Sequence, residues 1–174
     1  MKRGQKKNGN EVTSHFEYRT ITKDMKDKFT YIDLGLPSGR LWATENAKGY
    51  YTYNKAKKKF GELLPSPEAF EELYEECEWI WDTENKGVTI VGPNKNTIFL
   101  PASGFRDCDS ESEDVEFVGS EGNYWADTSC SSSGFSRVLH FNYDGIDTRI
   151  LGNSDAGFSV RLCLTANNTK NETI

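Results

Sequence analysis

Apolar residues recur at helical spacing between residues 52 and 77, and this spacing predicts two helices. Thr52 is a suitable N-cap for the first helix, and Gly61 is a suitable end. Ser66 gives the second helix a capping hydroxyl. Pro67 suits the first turn because N–H groups there have no partner in the helix, and Glu68 suits it because the helix dipole is positive at this end. The second helix is predicted to place four residues on one face: Phe70, Leu73, Tyr74 and Cys77.

Other apolar stretches alternate with polar residues or form short runs, which predicts strands. Residues 30–44, TYIDLGLPSGRLWAT, contain two short strands around a Gly-Leu-Pro-Ser-Gly turn. Residues 79–81 alternate, and the following VTIVGPNKNTIFLPA predicts strands at 88–91 and 97–100 around a turn. The tryptophans are assigned mainly to the core: Trp42, Trp79, Trp81 and Trp125.

The last third of the chain predicts three further strands, at about 136–142, 146–151 and 157–164. Successive side chains of a strand point to opposite faces. Leu139 and Phe141 are therefore expected to point inward. Val138, His140 and Asn142 are expected to point the other way, toward solvent.

The pattern as a whole predicts a single α+β domain, because 174 residues suit one hydrophobic core. The domain is predicted to occupy residues 30–165. Residues 1–29 are polar and without period and are predicted to be a flexible N-terminal tail, and residues 166–174 are predicted to be a disordered C-terminal tail. Residues 103–121 are acidic and irregular, which is typical of a solvated loop.

The net charge is −6 and the isoelectric point is near 5.1, with lysine and arginine dispersed along the chain. Nucleic-acid binding needs a basic stripe, so a nucleic-acid partner is not expected. No apolar stretch approaches the ~20 residues of a membrane-spanning helix, so direct membrane insertion is not expected either. No export signal is visible, and the protein either stays where it is made or has a leader outside this sequence.

The cysteines are widely spaced and form no CxxC pair: Cys77, Cys108, Cys130 and Cys163. Three disulfide pairings are open, as are four free thiols, and no zinc site is predicted. Asp107, Asp109 and Glu111 alternate as in a calcium loop, but the loop's glycine and final glutamate are missing. Neither a metal nor a cofactor is predicted, although calcium binding by residues 107–116 stays an open alternative.

The sequence contains none of the common patterns of catalytic residues. A Ser/His/Asp hydrolase would need His140 as its base, but no GxSxG turn is present and His15 lies in the predicted tail. The glycines lie in turns and do not precede a helix, so a phosphate-binding loop is not predicted. The sequence therefore favours a protein that is not an enzyme.

Residues 122–164 have the composition of a binding surface. Aromatic residues and arginines lie between small polar residues, among them Phe135, Tyr143 and Arg149. Rigid aromatic side chains supply contact area at a low entropic cost, and Ser, Asn and Gly supply adjustable hydrogen bonds. Each member also has a structural interpretation, since Phe135 can belong to a small core and Tyr143 to a hairpin turn.

Five blocks occur in order at suitable spacing: YIDLGLPSGRLWAT, LLPSPEAFEEL, GPNKNTIFLPASGFR, GNYWADT and GFSVRLC. Together they resemble the Bacteroidetes and Fibrobacter "major paralogous domain" family, which is similar to the sulfatase-modifying-factor branch of C-type-lectin-like proteins. The likeness covers roughly residues 30–164. It implies a C-type-lectin-like domain, with two helices packed on mostly antiparallel short strands, in which an N-terminal strand pairs near a C-terminal one.

The resemblance also implies a function, because many relatives are secreted or lipid-anchored surface proteins. Others are variable proteins of diversity-generating retroelements, in which adenine-derived codons near the C-terminus are replaced. Residues 122–164 look like such a variable region, with the apolar residues as a fixed frame. A cell-surface or phage-virion location and a protein or glycan ligand are therefore expected, and the chain is compatible with an oligomer.

Twelve residues are predicted to form the ligand-binding surface: Asp127, Ser133, Phe135, Arg137, Val138, His140, Asn142, Tyr143, Arg149, Leu151, Asn153 and Asp155. The first alternative is a structural or adhesive cell-surface domain without diversification. The second is a sulfatase-modifying-factor-like enzyme, whose redox-active cysteine pair has no matching surroundings here. Calcium-dependent sugar binding is doubtful, because the nearest string to the lectins' Trp-Asn-Asp is Trp125-Ala126-Asp127.

Overall fold

The computed structural model describes residues 25–107, 114–128 and 134–165. Within these residues the helices are α1 (Tyr53–Phe60) and α2 (Pro67–Glu76), and Gly61–Leu63 form a 3₁₀ turn. The strands are β1 (Tyr31–Asp33), β2 (Leu41–Ala43), β3 (Ala47–Tyr51), β4 (Glu78–Asp82), β5 (Gly87–Val91), β6 (Thr97–Pro101), β7 (Glu121–Trp125), β8 (Phe135–Asn142), β9 (Gly145–Asn153), β10 (Phe158–Val160) and β11 (Cys163–Leu164).

Both predicted helices are confirmed, together with their caps. The Thr52 hydroxyl accepts a hydrogen bond from the first turn of α1, and Gly61 ends that helix with a φ of 52°. The Ser66 hydroxyl caps α2, and Pro67 occupies its first turn. The prediction for Tyr74 is wrong, because its ring is exposed while Phe70 and Leu73 are buried.

The strands form three small sheets, and the chain has the predicted α+β architecture. The sheet orders are β1-β2-β11, β3-β10-β7-β8-β9 and β4-β5-β6. Among the described strands the pairs are antiparallel except β7 and β10, which are parallel. Trp42 of β2 lies opposite Cys163 of β11, so an N-terminal strand pairs with a C-terminal one.

The predicted strand 157–164 is divided between two sheets. Residues 158–160 join the five-stranded sheet as β10, and residues 163–164 join the first sheet as β11. Arg161 lies at the break and is 1% exposed. Its guanidinium donates to the carbonyl oxygens of Ala43 and Phe99 at 2.8 and 2.6 Å and to Asn46 Oδ1 at 2.8 Å. Burial lowers the pKa of Arg161 to about 10.

Two clusters of buried residues make up the core. The first contains Trp42 and Phe141 and lies between α2 and the sheets, and the second contains Trp125 and Phe158 beside α1. Met25 and Phe29 pack against the second cluster. The folded part therefore starts before the predicted boundary at residue 30, because these two side chains lie inside the predicted tail. The predicted tail at 166–174 lies outside the described residues.

Candidate functional site

The long hairpin of β8 and β9 carries most of the predicted binding residues. Strand β8 is paired on both sides, with β7 and with β9. One face of β8 packs Leu139 and Phe141 into the first core cluster, beside α2. The other face packs Val138 into the second core cluster. Because both faces are covered near the middle of the strand, solvent reaches the hairpin mainly near its ends and along β9.

Five predicted residues lie together near the open end of this hairpin. Phe135 is opposite Asn153, and Arg137 is opposite Leu151, so the two cross-strand pairs share one face. Phe135 is 47% exposed, Leu151 is 58% exposed, and Asn153 is exposed as well. Arg149 lies next to them, because Arg137 Nη1 donates to its carbonyl oxygen at 3.0 Å. These five residues are called the β8–β9 face: Phe135, Arg137, Arg149, Leu151 and Asn153.

The β8–β9 face combines apolar area with cationic groups. The Arg149 side chain is 76% exposed, and its Nε lies 3.6 Å from Glu71 Oε1 of α2. An exposed pair at this distance is weak, so the guanidinium can exchange Glu71 for another acceptor at little cost. Arg137 is held more firmly, because its Nη1 donates to the Arg149 carbonyl oxygen and its backbone N–H donates to Thr128 Oγ1, each at 3.0 Å. The face therefore offers two forked donors beside Phe135 and Leu151.

The prediction that Val138 faces outward is wrong. Its side chain is 1% exposed and packs in the second core cluster. When both faces of a sheet are covered, a central strand buries the side chains that point to either face. The register also shifts along β9, from Val138 opposite Ile150 to His140 opposite Asp147. Val138 therefore belongs to the frame.

The prediction of one shared surface is also wrong for His140 and Asn142. These residues have the opposite parity to Arg137 on β8 and point to the other face of the sheet. His140 Nδ1 lies 3.0 Å from Oδ1 of the buried Asn123. Asn142 Oδ1 accepts from two backbone N–H groups of the following turn, at 2.9 and 3.1 Å. Both side chains are half-buried and already paired within the domain.

Tyr143 lies at the far end of the hairpin, in the turn between Asn142 and Gly145. The hairpin-turn interpretation of this residue is thus correct, and the ring is also 74% exposed. An eight-residue strand separates Tyr143 from Phe135, so the two lie roughly 25 Å apart. Tyr143 cannot share one compact contact surface with Phe135.

The remaining predicted residues lie around the edges or outside the described chain. Asp127 accepts two hydrogen bonds from Lys57 Nζ, each 2.6 Å long, and the pair joins α1 to the end of β7. Asp155 is exposed beyond β9, and its backbone N–H donates to Asn153 Oδ1 at 3.0 Å. Ser133 lies outside the described residues. Asp127 thus has a structural role, and Asp155 borders the β8–β9 face.

Sequence reasoning missed a cleft at the Tyr143 end of the hairpin. It is an open cleft of about 420 Å³, lined by the β8–β9 turn, the β4–β5 turn and the residues that lead into β7. We call it the turn cleft, and its lining residues are Trp81, Thr83, Lys86, Gly119, Ser120, Glu121, Asn142, Tyr143 and Asp144. Trp81 was assigned to the core, yet it is only partly buried and lines this cleft. Three segments distant in sequence build the cleft, so no local pattern indicates it.

The two thiols that the structure describes are shielded from solvent to different extents, since Cys163 is buried and Cys77 is half-buried. Cys77 and Cys163 are free thiols, and burial raises their pKa values to about 11 and about 12. Both are therefore protonated near neutral pH and poor nucleophiles. Cys108, Cys130 and most of the acidic segment 107–116 lie outside the described residues.

The described residues contain neither a metal centre nor a helix that could span a membrane. No group of three or more potential metal ligands comes together. No helix has both the length and the apolar character that a membrane crossing needs.

Comparisons with protein-family models, with curated proteins and with solved structures gave no match to this chain.

Proposed function

We propose that this chain is a non-enzymatic ligand-recognition domain of C-type-lectin-like fold that binds a protein or glycan on a cell surface. The β8–β9 face is the contact surface in this proposal. We further propose that the chain is a variable protein of a diversity-generating retroelement, displayed on a cell surface or phage virion. The resemblance in the five sequence blocks supports both the fold name and the retroelement assignment.

One observation carries the proposal: at the open end of the β8–β9 hairpin, alternating residues differ in their exposure to solvent. Phe135, Arg137 and Leu151 are accessible, whereas Ser136 and Gly152, which alternate with them, are buried. The buried positions hold the fold. Phe135 and Leu151 are 47% and 58% exposed, so replacing them leaves no buried cavity.

The chemistry of the face suits recognition of many different surfaces. Phe135 and Leu151 supply apolar area, which dominates binding energy when a partner excludes water from it. Arg137 and Arg149 supply donors for carboxylates, carbonyl oxygens or sugar hydroxyls. A few exposed anchors give moderate affinity, and display of several copies together would amplify it.

An array of cell-surface protein ectodomains and glycans, probed with a tetramerised form of the chain, tests the contact surface. Phe135→Ala and Arg137→Ala should each reduce capture by an identified ligand about tenfold or more, as hot-spot truncations do. Ile80→Ala is the matched control, because Ile80 is an exposed apolar residue on β4, outside the β8–β9 face. Equal capture by all variants, with unchanged melting temperatures, would contradict the proposed surface.

The gene locus tests diversification separately. A nearby reverse transcriptase gene and a near-identical template repeat are expected, with adenine-specific differences in the codons of the β8–β9 face. The codons of Leu139 and Phe141 should be spared, because both side chains are fully buried. A locus without the repeat would leave a structural or adhesive domain as the better assignment.

A further inference from the structure

The turn cleft has a chemistry different from that of the β8–β9 face. Its volume of about 420 Å³ falls within the range of small-ligand sites. The rings of Trp81 and Tyr143 form one corner of it, at 90° to each other with centroids 6.2 Å apart. Tyr143 projects from a tight turn and is 74% exposed, so its ring is available to a ligand.

This aromatic corner suits a positively charged group. A cation within about 6 Å of a ring centroid is attracted by the electron-rich face of the ring. Because the two centroids are 6.2 Å apart, one small group placed in the corner lies within that distance of both rings. An anion is repelled by the same electron-rich ring faces.

The polar lining has the matching charge. Glu121 and Asp144 supply two carboxylates, and Lys86 supplies one ammonium group, so the described lining is net negative. The hydroxyl oxygens of Thr83 and Ser120 add acceptors around the rim. The chain as a whole is also negative, with a net charge of −6, and this charge favours the approach of cations.

We propose that the turn cleft is a binding site for a single alkylammonium group, held against the rings of Trp81 and Tyr143 in the corner that they form and neutralised by Glu121 and Asp144. The group belongs either to a small quaternary amine or to a lysine side chain of a peptide. The site lies roughly 25 Å from Phe135, the length of β8, and so acts independently of the β8–β9 face. The proposal stands whether or not the proposed function is correct.

Titration with choline and with its neutral isostere 3,3-dimethylbutan-1-ol tests the assignment, with the indole N–H signal of Trp81 followed by NMR. Choline should bind at least about threefold more tightly than the isostere, because only the cation gains the ring attraction. Equal affinities would overturn the proposal. A third titration, with N-acetyl-lysine methylamide, distinguishes the sources: tighter binding than choline assigns a peptide, and weaker binding assigns a small amine.

Three variants localise the effect. Tyr143→Ala should weaken choline binding about two- to fivefold, whereas Tyr143→Phe should retain it, because the ring remains. Lys86→Glu should tighten binding about two- to fivefold by replacing a repelling charge with an attracting one. Ile80→Ala is the control outside the cleft and should change nothing. Unchanged binding in both Tyr143→Ala and Lys86→Glu, with melting curves like the parent, would overturn the site.

Discussion

Replacement of Arg161 by methionine should destabilise the domain strongly. The guanidinium is the donor to three acceptors on separate parts of the chain: Ala43 O, Phe99 O and Asn46 Oδ1. A buried acceptor left without its donor costs about 1–3 kcal/mol. Two of these contacts are only partly buried, and methionine removes the cost of burying the charge, so a net loss near the lower end, about 3 kcal/mol, is expected.

Arg149→Met provides a matched control, because it makes the same chemical change on the β8–β9 face. The Arg149 side chain is 76% exposed, so its replacement should alter the free energy of unfolding by less than about 0.5 kcal/mol. Urea unfolding followed by tryptophan fluorescence measures both values. The loss of about 3 kcal/mol corresponds to a decrease of roughly 6–12 °C in melting temperature. Equal stability of the two variants would refute the assignment of Arg161 to the frame.

Three further predictions concern the frame. Gly122→Ala should destabilise the domain by about 1–3 kcal/mol, because a Cβ at this position would clash with the Phe141 ring. Gly145→Ala is the control, since a Cβ at Gly145 meets open space and should be tolerated. Equal melting temperatures of the two variants would contradict the prediction. Ser66→Ala should cost about 1 kcal/mol in urea unfolding by removing the cap of α2, and no loss would mean that the cap is dispensable. Burial raises the pKa of Cys163 to about 12 from an ordinary value of 9.0. Between pH 9 and pH 12 the thiol ionises in the unfolded chain but not in the folded domain. The free energy of unfolding should therefore be unaffected by this group below pH 9 and should fall by about 1.4 kcal/mol per pH unit above it. Cys163→Ala should make this loss shallower, and an identical pH dependence would count against the burial.

The helices were predictable because their signals are local. Thr52 and Ser66 cap helices through hydrogen bonds that span three residues, so a short stretch of sequence contains the whole interaction. The division of residues 157–164 was not predictable in this way. It depends on Arg161 reaching acceptors more than 60 positions away in sequence.

The binding surface was predictable in composition but not in arrangement. The prediction assumed that every strand has one buried face and one exposed face. Strand β8 instead buries Val138 on one side and Leu139 on the other. The predicted set also combined Arg137 with His140, which a regular strand directs to opposite faces. Tyr143 was predicted as a surface residue, but its partner Trp81 lies on β4, far away in sequence.

The central claim is that the β8–β9 face can change while the frame behind it cannot. Two libraries in a protease-resistance display experiment measure this directly. One randomises the face, and the other randomises five frame positions: Trp125, Ser136, Val138, Leu139 and Phe141. We predict that most members of the face library remain folded and that few members of the frame library do, because these frame side chains are almost completely buried. Similar folded fractions in the two libraries would contradict the claim.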